Sequence, residues 1–146
     1  MKEYKHPYIG AGVVVEEKGR ILLGVRARDP FKGKYEYPSG FVNYGERVED
    51  AAVREFMEET GFKVKLTGIV GVYSDKNRDP RVHSAYVLFA GKIVGGRKKL
   101  SAEVRRLEWV DARSLRKSDW CFDYHKSFHD YLKWKKGKGA YWSSRR

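Results

Sequence analysis

The chain has 146 residues, 41% of them hydrophobic, enough apolar material for one folded core and too little length for two, so residues 1–146 read as a single domain. The formal charge of +12 is uneven: residues 97–146 carry 15 Lys/Arg against six Asp/Glu, a basic third that steers anions, contacts nucleic acid or is solvated surface. The chain has no membrane-length apolar run and no secretory layout in MKEYKHPYIG, so a cytoplasmic location is expected, and its one cysteine, Cys121, excludes an intrachain disulfide.

Ile9 to Glu16 is a β-branched run, Glu17-Lys18-Gly19 reads as a turn, and Arg20 to Arg26 resumes apolar content. This predicts a hairpin that opens a sheet. Arg28 to Tyr37 is a loop broken by Asp29-Pro30, leading through Tyr35 into a strand-like Tyr37-Pro38. Val48 to Thr60 contains neither proline nor glycine, and Gly61 follows where a left-handed stop is needed, so one helix is predicted there. At about 100° per residue, Ala52, Val53, Phe56 and Met57 share a core arc, while Glu55, Glu58 and Glu59 fall on another.

Like charges three and four residues apart destabilise a helix by about 0.2–0.5 kcal/mol per pair. The acid face is therefore either an ordinary solvated surface or the binding face for a cation, and carboxylate oxygens suit magnesium or manganese. Arg54 adjoins the cluster and is placed to pair with Glu46 or with one of the cluster acids. Gly40 and Gly45 bracket a loop that must bend closely before the helix.

From Gly40 to Phe62 the chain reads G-x5-E-x7-R-E-φ-x-E-E-x-G-φ, where φ is apolar and the fixed residues are Gly40, Glu46, Arg54, Glu55, Glu58, Glu59 and Gly61. This resembles the signature of the Nudix hydrolases at every defining position. The resemblance implies an α/β/α sandwich with a mixed sheet and hydrolysis of a nucleoside diphosphate linked to another group. It also implies Mg²⁺, or Mn²⁺, held by Glu55, Glu58 and Glu59, with Arg54 orienting them. The segment GKYEYPSGFVNYGE resembles the family's entry to its metal loop, with Tyr35 where tryptophan is usual. Ser39 replaces a usual glycine, at the position whose backbone carbonyl contacts a metal in the family.

Phe62 to Tyr73 and Arg81 to Lys92 are strand candidates joined by SDKNRDP. The segment GVYSDKNRDPRVHSAYVLFAG resembles the ADP-ribose pyrophosphatase branch, where a triplet like Asp79-Pro80-Arg81 followed by His83 is common. On physical grounds Arg81 suits bidentate bonding to phosphate, and Tyr73 or Phe31 offers a flat face for an adenine. Alternatively Asp79-Pro80 is merely a turn and Arg81 a surface charge. In SAEVRRLEWVDARSL the resemblance implies an acid that adds a metal ligand or activates water; Glu103 is the candidate and Glu108 its rival. Asp111 reads as the N-cap of a helix over Ala112 to Arg116.

Phe122 to Lys136 reads as an amphipathic helix packed through Phe122, Phe128, Tyr131 and Leu132. Cys121, His125 and His129 are spaced i, i+4 and i+8, but one helix cannot close a tetrahedral metal shell. Residues 133–146 interleave basic and aromatic side chains, as a single-stranded nucleic-acid surface would, or as a flexible or dimer-packing tail would.

The resulting expectation is hydrolysis of ADP-ribose or a related nucleoside diphosphate sugar to AMP and a sugar phosphate. The acids would be Glu55, Glu58, Glu59 and Glu103, with Asp79 and Arg81 in the substrate loop and a homodimer expected from the resemblance. A pyrophosphohydrolase acting on 5′-phosphorylated or capped RNA or on dinucleoside polyphosphates is the alternative, and a non-catalytic nucleotide-sensing or nucleic-acid-binding module is the third reading.

Overall fold

The computed structural model describes residues 4–146. β1 (Tyr8–Glu17) and β2 (Arg20–Arg26) form the expected hairpin, turning at Lys18 and Gly19, both with positive φ. They pair only beside the turn, at Glu16 with Ile21 and Glu17 with Arg20. Beyond it they splay apart. Two short strands fill the opening: β3 (Tyr35–Glu36) on β2 and β4 (Ser39–Phe41) on β1. The splay thus places Glu36, Ser39 and Gly40 together in the middle of the sheet.

The other edge of β1 pairs in parallel with β6 (Ser84–Gly96), which pairs antiparallel with β5 (Phe62–Tyr73). β7 (Val104–Val110) pairs with β2, and β8 (Tyr141–Trp142) runs parallel to β5. The sheet is mixed, as expected. β1 is buried on both faces, which is why it reads as a continuous apolar run rather than an alternating one. Ala11, Val13 and Val15 face α1 (Val48–Thr60), and Val14 faces the cluster around α2 (Tyr124–Gly137). One helix on each side of the sheet gives the α/β/α sandwich.

Several expectations are corrected at this level. In α1 the buried residues are Ala51, Ala52, Phe56, Glu59 and Thr60, while Val53 is exposed. α2 begins two residues later than expected, leaving Phe122 outside it at φ +48°. Its N-cap Asp123 makes no capping bond because its carboxylate is committed to Arg78. Asp111 likewise makes no side-chain cap, and only a single 3-10 turn, Ala112–Ser114, follows it.

The segment 133–146 does not trail free of the body: Lys133 to Gly137 complete α2, and Tyr141-Trp142 pair with Gly71-Val72. Among the described residues no helix is long and apolar enough to cross a membrane.

Candidate active site

The acid face of α1 lies over β4, and Gly40 sets how closely it approaches. A Cβ at Gly40 would collide with the Glu55 carboxylate and displace it from its present position. The other end of α1 stops at Gly61, at φ +80°, where its N–H donates to the Met57 carbonyl at 2.8 Å.

Arg54 bonds both of its expected partners. Its Nε and Nη2 donate to the two oxygens of Glu46 at 2.8 and 3.0 Å, and Nη1 donates to Glu55 at 2.8 Å and to Glu58 at 3.2 Å. Nη2 also reaches the Phe41 carbonyl at 3.1 Å. One guanidinium therefore straps the loop to the helix and offsets the repulsion between Glu55 and Glu58. Among the described residues Glu59 receives no such cation. It is 5% exposed, and its bond is from the Ser39 N–H at 3.3 Å. Burial first, then the negative fields of Glu36 and Glu55, push its carboxyl well above the usual range. Burial also raises Glu55, against the pull of Arg54.

Glu36 was not singled out from the sequence. It is buried on β3, takes a bond from Arg26 Nη1 at 3.2 Å, and is pushed by burial up to about 7. An acid inside the apolar run YEYP was the available signal.

These acids line a cleft of about 680 Å³, within the range of small-molecule sites. Arg26, Arg28, Arg78 and Arg81 line it as well, Arg26 through its bond to Glu36. Arg28 donates to Glu103 at 2.7 Å across the mouth. Glu103 thus reaches the cleft, whereas Glu108 lies outside its lining and takes bonds from the Tyr35 hydroxyl at 2.6 Å and from Arg106.

Asp79 and Arg81 both line the cleft and bond each other, through Nη2 at 2.9 Å and Nε at 3.1 Å. Burial pushes Asp79 up, but the Arg81 bonds hold it net below its usual range. The Arg81 guanidinium lies 5.8 Å from the Phe41 ring and 5.7 Å from the Phe122 ring. Arg78, also missed, is buried, bonded to Asp123 and to Ser84 Oγ, and stacked over Tyr86 at 4.9 Å. Its place in RDPR was the visible signal; Asp123, 45 residues away, was not.

Two expected aromatic contacts are corrected. Tyr73 is fully buried against α2 and its hydroxyl donates to Asp130 at 2.9 Å, so its ring has no open face. Phe31 does not line the cleft but packs edge-on to Phe122, centroids 4.9 Å apart. Phe41, Tyr86, Phe122 and Tyr124 are the aromatics that do line it. Cys121 is buried, and among the described residues no three His, Cys, Asp or Glu side chains are gathered as a metal group. That last finding covers both the Cys121, His125 and His129 set and the α1 acids.

The α1 acids nevertheless fit a hard divalent cation by chemistry. Glu55 and Glu59 are oxygen donors at the cleft floor, and Glu59 is a buried carboxyl with no cationic partner among the described residues. Ser39 donates its hydroxyl to the Tyr37 carbonyl at 2.7 Å and lies 3.3 Å from the Tyr124 hydroxyl, so its side chain points away from the acids its backbone N–H contacts.

The family model for the NUDIX domain matches residues 5–131. The chain belongs to the Nudix hydrolases. It is 40% identical over 134 residues to an ADP-ribose pyrophosphatase of Methanocaldococcus jannaschii, covering 92% of this chain and 78% of that one. It is 37% identical over 104 residues to a putative 8-oxo-dGTP diphosphatase of Bacillus subtilis, covering 70% and 65%. Among solved structures, a Nudix hydrolase from Nitrosomonas europaea superimposes with a TM-score of 0.82 at 25% identity, covering 97% of this chain and 80% of that one. The α1 strap and the Gly40 contact are thus this chain's form of the Nudix box.

Proposed function

We propose that this Nudix hydrolase cleaves the pyrophosphate of ADP-ribose, or of a related nucleoside diphosphate sugar, into AMP and a sugar phosphate with the help of Mg²⁺ or Mn²⁺. The observation that carries the reading is the make-up of the cleft: carboxylates of α1 and β3, four arginines and the rings of Phe41 and Phe122 line one space. The Methanocaldococcus relative, whose name states that activity, supports the choice of substrate.

Glu55 and Glu59 would hold the metal, with Glu58 and the Ser39 backbone completing the set. A bound divalent ion would neutralise phosphoryl oxygens and lower the pKa of attacking water. Arg54 keeps Glu55 and Glu58 aimed while leaving Glu59 free of a competing cation. Arg28 and Arg81 bind the diphosphate oxygens, each exchanging its present carboxylate partner for substrate. Glu103, released from Arg28 by that exchange, takes the proton of the attacking water. Phe41 and Phe122 cover the base in the role expected of Tyr73 and Phe31.

Glu59→Gln keeps shape and removes the charge. It is expected to fold with an unchanged circular-dichroism spectrum and to lose at least about 10²-fold in kcat, the scale of one removed electrostatic group in a preorganised site. Wild-type turnover by this variant at saturating magnesium would sink the assignment. A phosphate-release panel of ADP-ribose, other diphosphate sugars, NADH, dinucleoside polyphosphates and triphosphorylated RNA tests the substrate.

A further inference from the structure

Beside the active-site cleft, on the far side of Phe122, lies a second, shallower depression of about 480 Å³. Its lining includes Phe31, Trp120 and Phe122 together with Lys34, Arg116 and Lys117, and includes no carboxylate. Phe122 lines both spaces.

Three observations mark the depression as built. First, two aromatic residues of its lining hold left-handed backbones, Phe31 at φ +66° and Phe122 at φ +48°, a conformation that bulky residues rarely adopt and that persists only where surroundings impose it. Second, the segment bearing its cations is stitched to the strand beneath the active site: Tyr35 bridges Trp120, and the Cys121 N–H donates to the Tyr35 carbonyl at 2.9 Å. Third, the positive charge is largely unspent. Arg116 bonds Asp119 at 3.5 Å, and Asp119 also feels the charge of Lys34. Lys34 otherwise lies 5.9 Å from the Phe31 ring, and Lys117 has no salt-bridge partner among the described residues.

Cations ringed by aromatic walls, next to a cleft that takes a nucleoside diphosphate, suit a phosphate ester attached to a nucleoside. We infer that this depression is a second anion subsite, which binds a phosphate carried by the nucleoside half of the substrate while the scissile pyrophosphate lies in the cleft across Phe122. The inference rests on the proposed reading of the cleft as a nucleotide site. The phosphate has two possible sources with one chemistry: a monoester on the ribose, or the diester to a following nucleotide. The subsite gives this enzyme a way to favour nucleotides bearing that extra phosphate.

Titration calorimetry in magnesium at low salt tests it, with AMP, adenosine 2′,5′-bisphosphate, adenosine 3′,5′-bisphosphate and the dinucleotide pApA as ligands. The doubly substituted Lys34→Ala/Lys117→Ala chain is the comparison. The wild-type protein is expected to bind at least one of the three larger ligands tenfold or more tighter than AMP. The double variant is expected to lose that advantage while holding AMP within twofold, which also shows that it is folded. The advantage is also expected to collapse at 0.5 M salt. A gain confined to the bisphosphates identifies a monoester, and a gain with pApA a diester. Equal affinity for all four ligands, or an advantage that survives in the variant, overturns the subsite. If AMP fails to bind but a bisphosphate binds in a lysine-dependent way, the adenosine reading of the cleft falls and the subsite stands.

Discussion

A buried acid without a full complement of partners writes its cost into the pH dependence of folding, and Glu36 is the residue to read. The residue is 6% exposed, its carboxyl is bonded to Arg26 alone among the described residues, and it is pushed to about 7 in the folded chain from 4.5 in the unfolded one. Between those two values the folded state holds a proton that the unfolded chain has released. Stability therefore falls as pH rises through roughly 4.5 to 7, and the full penalty is present above that window. Glu36→Gln keeps the bond to Arg26 and removes the titration. Urea midpoints measured in chelator from pH 4.5 to 7.5 are expected to decline for the wild type and to decline less for the variant. Parallel curves would show that the other cleft acids carry the whole slope.

At the scale of elements, α1 and β4 meet where the Glu55 carboxylate lies against Gly40, a contact with no room for one more carbon. Gly40→Ala places a Cβ against the Glu55 carboxylate, which must move or push the helix outward. A shift of about 1 Å in a positioning group costs up to about 10²-fold in rate. Gly40→Ala is therefore expected to lower kcat by about that factor while circular dichroism stays native, measured with ADP-ribose at saturating magnesium. Activity within threefold of wild type would mean that Glu55 has room to relax.

This part of the molecule was legible in the sequence because it is local. The helix, its Gly61 stop and its acid face all follow from spacing within a single stretch of chain, and the three acids that Arg54 bonds lie within eight residues of it. The face of Tyr73 was not legible. The register between β5 and β6 shifts three times, and two of the shifts insert an extra residue in β5, at Thr67 and Val70, so strict alternation counted from the start of the strand does not give the side its end presents. Phe122 was misread for a related reason. Helical periodicity placed it inside α2, but the commitment of Asp123 to Arg78 belongs to a contact 45 residues distant, and the helix begins after it.

For the whole molecule, the basic aromatic end changes meaning once its contacts are known. Interleaved cations and rings suggest a stacking platform, yet the rings are mostly occupied from within. Lys138 covers Trp134 at 3.8 Å, Arg145 covers Tyr141 at 4.4 Å, and Tyr141 packs on the core beside α2. β8 covers one edge of β5, and Ser143 Oγ accepts the Ser74 N–H at 2.9 Å. Removing Gly139 to Arg146 therefore strips a strand rather than a tail, while leaving α2 and the cleft lining in place. The lost ladder bonds and buried ring amount to about 2 kcal/mol. For a chain of this length that is roughly a 5–8 °C drop in Tm. The truncated protein is expected to melt lower by that amount and to hydrolyse ADP-ribose within twofold of wild type at 25 °C. It is also expected to aggregate more readily on warming, because the β5 edge is open. An unchanged melt would show that β8 adds nothing to the sheet, and a selective loss of turnover on triphosphorylated RNA would return the segment to the role its composition first suggested.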